Sequence, residues 1–475
     1  STSRRALELL LQRARVLPPA DPAARAELAA LDRRMAGDYA LTPACTPGSD
    51  CRSRGEWLSV LGSSRDPVQL LAAWKAIHDP AAAHRADFER LVALLNRGAH
   101  DWGYADAGEH WRASHDLSPA DFALEIEGLW AAAEPLYRQL HCYARRRLAE
   151  HYGSQHVTSD GLIPAHLLGH PTQMDWSAVH GLLAGDGGTT VGMGVRRVAT
   201  DGRALLTQAG QRTVELGFPA LPAALAGRSR LDPEPGMSCH PSAWNMDLAG
   251  DVRIRLCALP SEAALRTALH ELGHVHYYRA YRHQPALFQA GASAAFHEAI
   301  GDLLALALSR DDRWASLDED PIALRERLLR EALRTLPLLA YARLLDQWRW
   351  AVYEGSVTPA DYNRAWWTLK SSVQGVSAPL ARDETHFDAA VQQQVLAHAP
   401  MAPYFLARFQ AFDWYRALCR RGGHAGPAHQ CRQTALAAAM PLLQEVMREG
   451  ARRPWPELHS RVTGRSHIDP AALLE

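Results

Sequence analysis

The sequence predicts a mainly α-helical protein with few short strands, folded as one large domain over residues 1–475. Three observations carry this. Good helix formers recur at a 3.6-residue period along most of the chain, Pro and Gly punctuate the periodic stretches, and strands do not alternate regularly with helices, which argues against a doubly wound sheet. In order, helices are expected over residues 5–15, 23–37, 66–78, 84–97, 118–151, 261–283, 293–309, 321–354, 359–373, 402–421 and 431–450. Val252-Arg253-Ile254-Arg255-Leu256 alternates as a half-buried strand does, and residues 184–202 hold a Gly/Thr/Val-rich turn that suits a short hairpin. Residues 216–242, with Pro219, Pro222, Pro233, Pro235 and Pro241, read as a loop-rich connection.

With 475 residues, 47% of them hydrophobic, the chain can bury a large core. A formal net charge of -1 at 22% charged residues gives no electrostatic reason for a nucleic acid or an anionic membrane as partner. The longest apolar run, Leu303 to Leu308, has the length of a core-helix segment, so no membrane span is expected. Arg4, Arg5, Arg13 and Arg15 among leucines read as an amphipathic helix, not a signal peptide, so any leader is expected to be absent from this sequence.

The seven cysteines are Cys45, Cys51, Cys142, Cys239, Cys257, Cys419 and Cys431. Six fall into local pairs separated by 6, 18 and 12 positions, and no CxxC occurs to suggest a thiolate metal site. Local pairs across Pro/Gly-containing loops suit disulfides formed in an oxidising compartment, while scattered reduced thiols remain the alternative.

His270-Glu271-Leu272-Gly273-His274 matches HExxH. On a helix, positions i and i+4 share a face, so both imidazoles can reach one zinc ion while Glu271 is placed for a water molecule. Ser261 suits the N-cap, Glu262 the first turn, and Leu265, Leu269, Leu272 and Val275 recur at helical spacing. Glu298, 24 positions after His274 on a second helix with Ile300, Leu303, Leu304 and Ala307 as apolar face, completes a His/His/Glu set with room for water. Asp302, one turn on, is placed to orient a ligand imidazole through its other nitrogen, and His297 reads as a packing neighbour. Such a centre suits hydrolysis, with Glu271 as general base.

That motif with Phe296-His297-Glu298-Ala299-Ile300-Gly301-Asp302 resembles the angiotensin-converting enzyme family of zinc peptidyl-dipeptidases. So do Ile163-Pro164-Ala165-His166-Leu167-Leu168-Gly169, Cys239-His240-Pro241-Ser242-Ala243-Trp244, Asp346-Gln347-Trp348-Arg349-Trp350, Gly423-His424-Ala425-Gly426-Pro427 and Arg453-Pro454-Trp455-Pro456-Glu457, in order along the whole chain. The resemblance implies an ellipsoidal helical fold whose deep cleft divides two subdomains, one zinc ion, a peptide substrate, and a secreted or periplasmic location. It implies disulfides Cys45–Cys51, Cys239–Cys257 and Cys419–Cys431, leaving Cys142 as a buried thiol. Carried over by position, His240 holds the substrate backbone, Tyr404 stabilises the oxyanion, and Ala243, Gln392 and Gln394 line the substrate site.

Departures mark a divergent, bacterial-type member. The family's anchors for a substrate's terminal carboxylate fall on Met174, Gln392 and Met401, with Gln173 one step away as a substitute, and a second substrate-binding histidine becomes Gln394. The arginine of one chloride site is Pro403, two at another are His78 and Lys370 beside a retained Trp366, and chloride is doubtful as a cofactor. The chain starts where the family's lid helices end, about a hundred residues in. The expected activity is peptide hydrolysis with altered specificity. A weakly active zinc-binding scaffold and a hydrolase of non-peptidic amides are the alternatives.

Overall fold

Local signals start most of the long helices. Ser118 accepts the Asp121 amide at 3.1 Å and Pro119 takes the first position, so a helix of 34 residues, Pro119–Tyr152, opens where expected. The computed structural model describes residues 2–15, 17–41, 44–45, 51–113, 115–158, 161–184, 199–234, 240–257, 261–307 and 321–475. Over these the protein is mainly α-helical with a few two- to four-residue strands. Every expected helix is present within a few residues. Arg54–Ser63, Gly202–Glu215 and Trp455–Thr463 are further helices. The second was legible: Asp201 accepts the Ala204 amide as N-cap, and Leu205, Leu206, Ala209 and Thr213 are buried at helical spacing.

The strand at Val252–Arg255 pairs antiparallel with Ser242–Asn245, Ala243 opposite Ile254. Most of the expected 184–202 hairpin lies outside the described residues. Among its described residues the 216–242 connection holds one short helix, Leu225–Arg228, and Arg230 bridges to Arg255.

The chain divides into two compact units, each made of separated segments. One comprises Ser1–Ala14, Thr190–Pro321 and Pro403–Glu475; the other comprises Arg15–Thr189 and Ile322–Ala402. In the second, the Asp346–Trp350 motif is structural. Arg349 is fully buried, pairs with Asp346, donates to the carbonyl of Gln394 at 2.8 Å and lies 4.9 Å over Trp111. Asp346 in turn accepts the amides of Met401 and Ala402, which open the Ala402–Arg421 helix. Trp348 packs on Phe88 beside Phe387. In the first unit Phe296 meets Trp414 edge-on, and the Trp414 indole donates to His459, itself 3.2 Å from Asp413.

Cys45–Cys51 and Cys419–Cys431 are disulfide-bonded, as expected, while Cys239 lies outside the described residues. Cys142 corrects an expectation: its thiol is exposed, not buried. It sits between the buried Leu140 and Ala144, off the apolar stripe of its helix. Among the described residues no helix is long and apolar enough to cross a membrane.

Candidate metal centre

Two glycines bring the ligands together. The first ligand helix, Glu262–Tyr281, begins at Ser261, which accepts the Ala264 amide at 3.1 Å, and the second is Ala294–Ala307. They cross at Gly273 and Gly301. A Cβ on Gly273 would stand 2.6 Å from the Gly301 Cα, and one on Gly301 would stand 2.8–2.9 Å from the His270 ring. Only hydrogen at both places lets the backbones approach so closely.

At that crossing His270, His274 and Glu298 offer donor atoms all within 4.8 Å of one another. Glu298 Oε2 lies 3.1 Å from His270 Nε2 and 3.7 Å from His274 Nε2. Tetrahedral ligands about 2.0–2.2 Å from zinc stand roughly 3.3–3.6 Å apart, so the set fits such an ion. Burial disfavours charge on His270, yet the hydrogen bonds that its ring donates to Asp302 and Glu298 outweigh it and raise the ring's pKa well above its usual value, holding a proton that a bound metal would have to displace. Two carboxylates converge on one imidazole, as at a site built for a cation.

The remaining ring nitrogens are held by the second helix. His270 Nδ1 is 3.2 Å from Asp302 Oδ1, and His274 Nδ1 is 2.6 Å from His297 Nδ1. His297 thus does more than pack: it stands to His274 as Asp302 does to His270. Its place directly before Glu298 was the available signal. Burial pushes the His274 pKa down to about 4, which favours the neutral ring that binds metal.

Glu271 is buried, its Oε2 has no hydrogen-bond partner among the described residues, and burial pushes its pKa up to about 7. One turn beyond His274, the Tyr278 hydroxyl donates to the Ala243 carbonyl at 3.3 Å, tying the Ser242–Asn245 strand to the ligand helix. His240 precedes that strand. The residue as a whole is exposed and Arg255 Nε donates to its carbonyl at 2.9 Å; partial desolvation of its ring and then Arg255 lower its pKa, while Glu298 opposes them. Tyr404 lies in the first turn of the Ala402–Arg421 helix. One turn later Arg408, unremarked in the sequence, reaches Asp302 with Nε 3.4 Å from Oδ2.

Gln392 and Gln394 belong to the other unit, where Gln392 Nε2 donates to Gln394 Oε1. The amide of Gln173 is hydrogen-bonded within that unit. Its Nε2 donates to the carbonyls of His170 and Pro171 at 2.9 and 2.8 Å, and its Oε1 accepts from Lys370.

A family profile described as Angiotensin-converting enzyme matches residues 1–475. The chain belongs to the angiotensin-converting enzyme family. The angiotensin-converting enzyme of Mesocricetus auratus is 34% identical over 458 residues, 93% of this chain and 34% of its own length. That of Sus scrofa is 34% identical over 473 residues, 96% of this chain and 36% of its own. That of Theromyzon tessulatum is 32% identical over 427 residues, 87% of this chain and 69% of its own. The chain thus spans about a third of the mammalian family members it matches.

Proposed function

We propose that this chain is a zinc-dependent metallopeptidase of altered specificity. The observation that carries the reading is the convergence of His270, His274 and Glu298 beside the buried carboxyl of Glu271, whose Oε2 is unpartnered among the described residues. When bound there, zinc would supply a Lewis acid for the scissile carbonyl and lower the pKa of water. Glu271 takes the proton of the attacking water on its carboxylate and returns it to the departing nitrogen. Tyr404 donates a hydrogen bond to the carbonyl oxygen as negative charge develops. His240 and the Ser242–Asn245 strand at Ala243 hold the substrate backbone extended. The disulfides suit a secreted or periplasmic setting. Mass-spectrometric mapping of cleavage on a defined peptide library tests the reading. Discrete cleavages that need zinc support it, and inactivity on every peptide overturns it.

With Met174, Gln392 and Met401 at the positions of the family's carboxylate anchors, no cation stands there to reward a free terminus. A charge-assisted contact contributes about 1.5–3 kcal/mol, so its loss removes a roughly ten- to hundredfold preference. One peptide offered as free acid and as amide is therefore expected to be cleaved at similar kcat/KM. A free-acid preference of about tenfold or more contradicts this.

Chloride is also expected not to activate the enzyme through the Lys370 site. The buried ammonium donates to Thr172 O at 3.0 Å, to Gln173 Oε1 at 2.5 Å and to Gln374 Oε1, which uses all three of its protons. His78 is likewise held between Asp388 and the Pro171 carbonyl. Replacing chloride by a non-halide salt at equal ionic strength should change kcat/KM by less than about twofold.

A further inference from the structure

Arg408 stands one helical turn after Tyr404, so the two share a face of the Ala402–Arg421 helix. The side chain is mostly withdrawn from water, at 17% exposure, beside Asp302 at 10%. Its ion pair among the described residues uses Nε, at 3.4 Å from Asp302 Oδ2, and Nε makes no hydrogen bond there. Neither terminal nitrogen has a hydrogen bond to the described residues, and neither is sealed from solvent as Nε is. Asp302 does not complete the fork: no hydrogen bond joins it to Arg408, and its other oxygen is 3.2 Å from His270 Nδ1.

A guanidinium carries five N–H groups in a planar fork, and the four on the terminal nitrogens of Arg408 face solvent with no acceptor among the described residues, so they are available to a ligand. The group that matches two parallel N–H donors is a carboxylate. The geometry points to Arg408 as a specificity-determining residue that binds a carboxylate of the substrate beside the metal centre. This rests on the peptidase reading above. It identifies a cation that sequence comparison at the three lost anchor positions does not reveal. Since free acid and amide are expected to be cleaved alike, the carboxylate is that of an acidic side chain, and the peptide's free C-terminus is the other source that the test distinguishes.

The test uses the full chain with zinc and four matched peptides: an acidic or an isosteric amide residue, each with a free or an amidated terminus, with the residue walked along the positions flanking the cleaved bond. The zinc-loaded wild type and Arg408→Met are compared, with Arg408→Lys as a second variant that keeps the charge but not the fork. We expect wild type to prefer a carboxylate about ten- to hundredfold in kcat/KM, and Arg408→Met to bring that ratio close to one. Arg408→Lys should retain part of it. Loss of side-chain preference in Arg408→Met assigns an acidic residue, and loss of a free-acid preference assigns the terminus and corrects the specificity proposed above.

The same ratios are read without turnover as peptide Kd values on Glu271→Gln with and without the Arg408 change. Equal loss on all four peptides, or loss of zinc content from Arg408→Met, means that Arg408 acts only through Asp302 and overturns the inference. So does a wild-type enzyme with no carboxylate preference. If wild type cleaves nothing and Glu271→Gln binds nothing, the peptidase reading itself fails, a result distinct from the others.

Discussion

Gly273→Ala is expected to lower both stability and zinc affinity, although helix propensity alone predicts the opposite sign. Alanine within a helix is favoured over glycine by about 1 kcal/mol. Here the added methyl would lie 2.6 Å from the Gly301 Cα, 2.8 Å from its nitrogen and 3.0 Å from the Ile300 carbonyl oxygen. These are backbone atoms, so no side chain can turn aside. Overpacking of this kind costs about 1–3 kcal/mol, and relief requires the two ligand helices to part. Parting them draws Glu298 away from His270 and His274, and zinc affinity should fall by about 10–100-fold, as when the support of a metal ligand is lost. Gly301→Ala reaches the same end by displacing the His270 ring. Zinc retention against a graded series of chelators, together with thermal unfolding of zinc-loaded and zinc-free protein, measures both effects. Wild-type zinc retention in Gly273→Ala would refute the claim that this close approach assembles the site.

Glu271→Gln separates chemistry from structure. The substitution keeps the shape of a buried side chain whose Oε2 makes no hydrogen bond among the described residues, so little packing is disturbed. Glu271 is also not among the three metal donors. Zinc content and melting temperature should therefore stay close to wild type. Hydrolysis should fall by about 10²–10⁴-fold, the usual contribution of a positioned general base. If zinc is lost together with activity, Glu271 holds the centre together instead. If activity survives, another group takes the proton.

Within single helices the sequence was sufficient. Apolar spacing located the long helices, with the cap Ser261 at the first ligand helix, because both signals act within a turn or two of backbone. His270 and His274 were legible for the same reason: four positions is one turn, whatever surrounds it. Glu298 needed only a second periodic stretch at a suitable distance. The tertiary structure decided what lies between elements. That Gly273 and Gly301 touch, that His297 grips His274, and that Arg408 pairs with Asp302 106 positions earlier all depend on how helices pack. No local period encodes those contacts. The same holds for Lys370, whose three protons are taken up by Thr172, Gln173 and Gln374, and for Cys142, exposed on a helix with a buried stripe beside it. Donor identity and spacing follow from covalent geometry along one chain, whereas which donors remain free depends on neighbours distant in sequence.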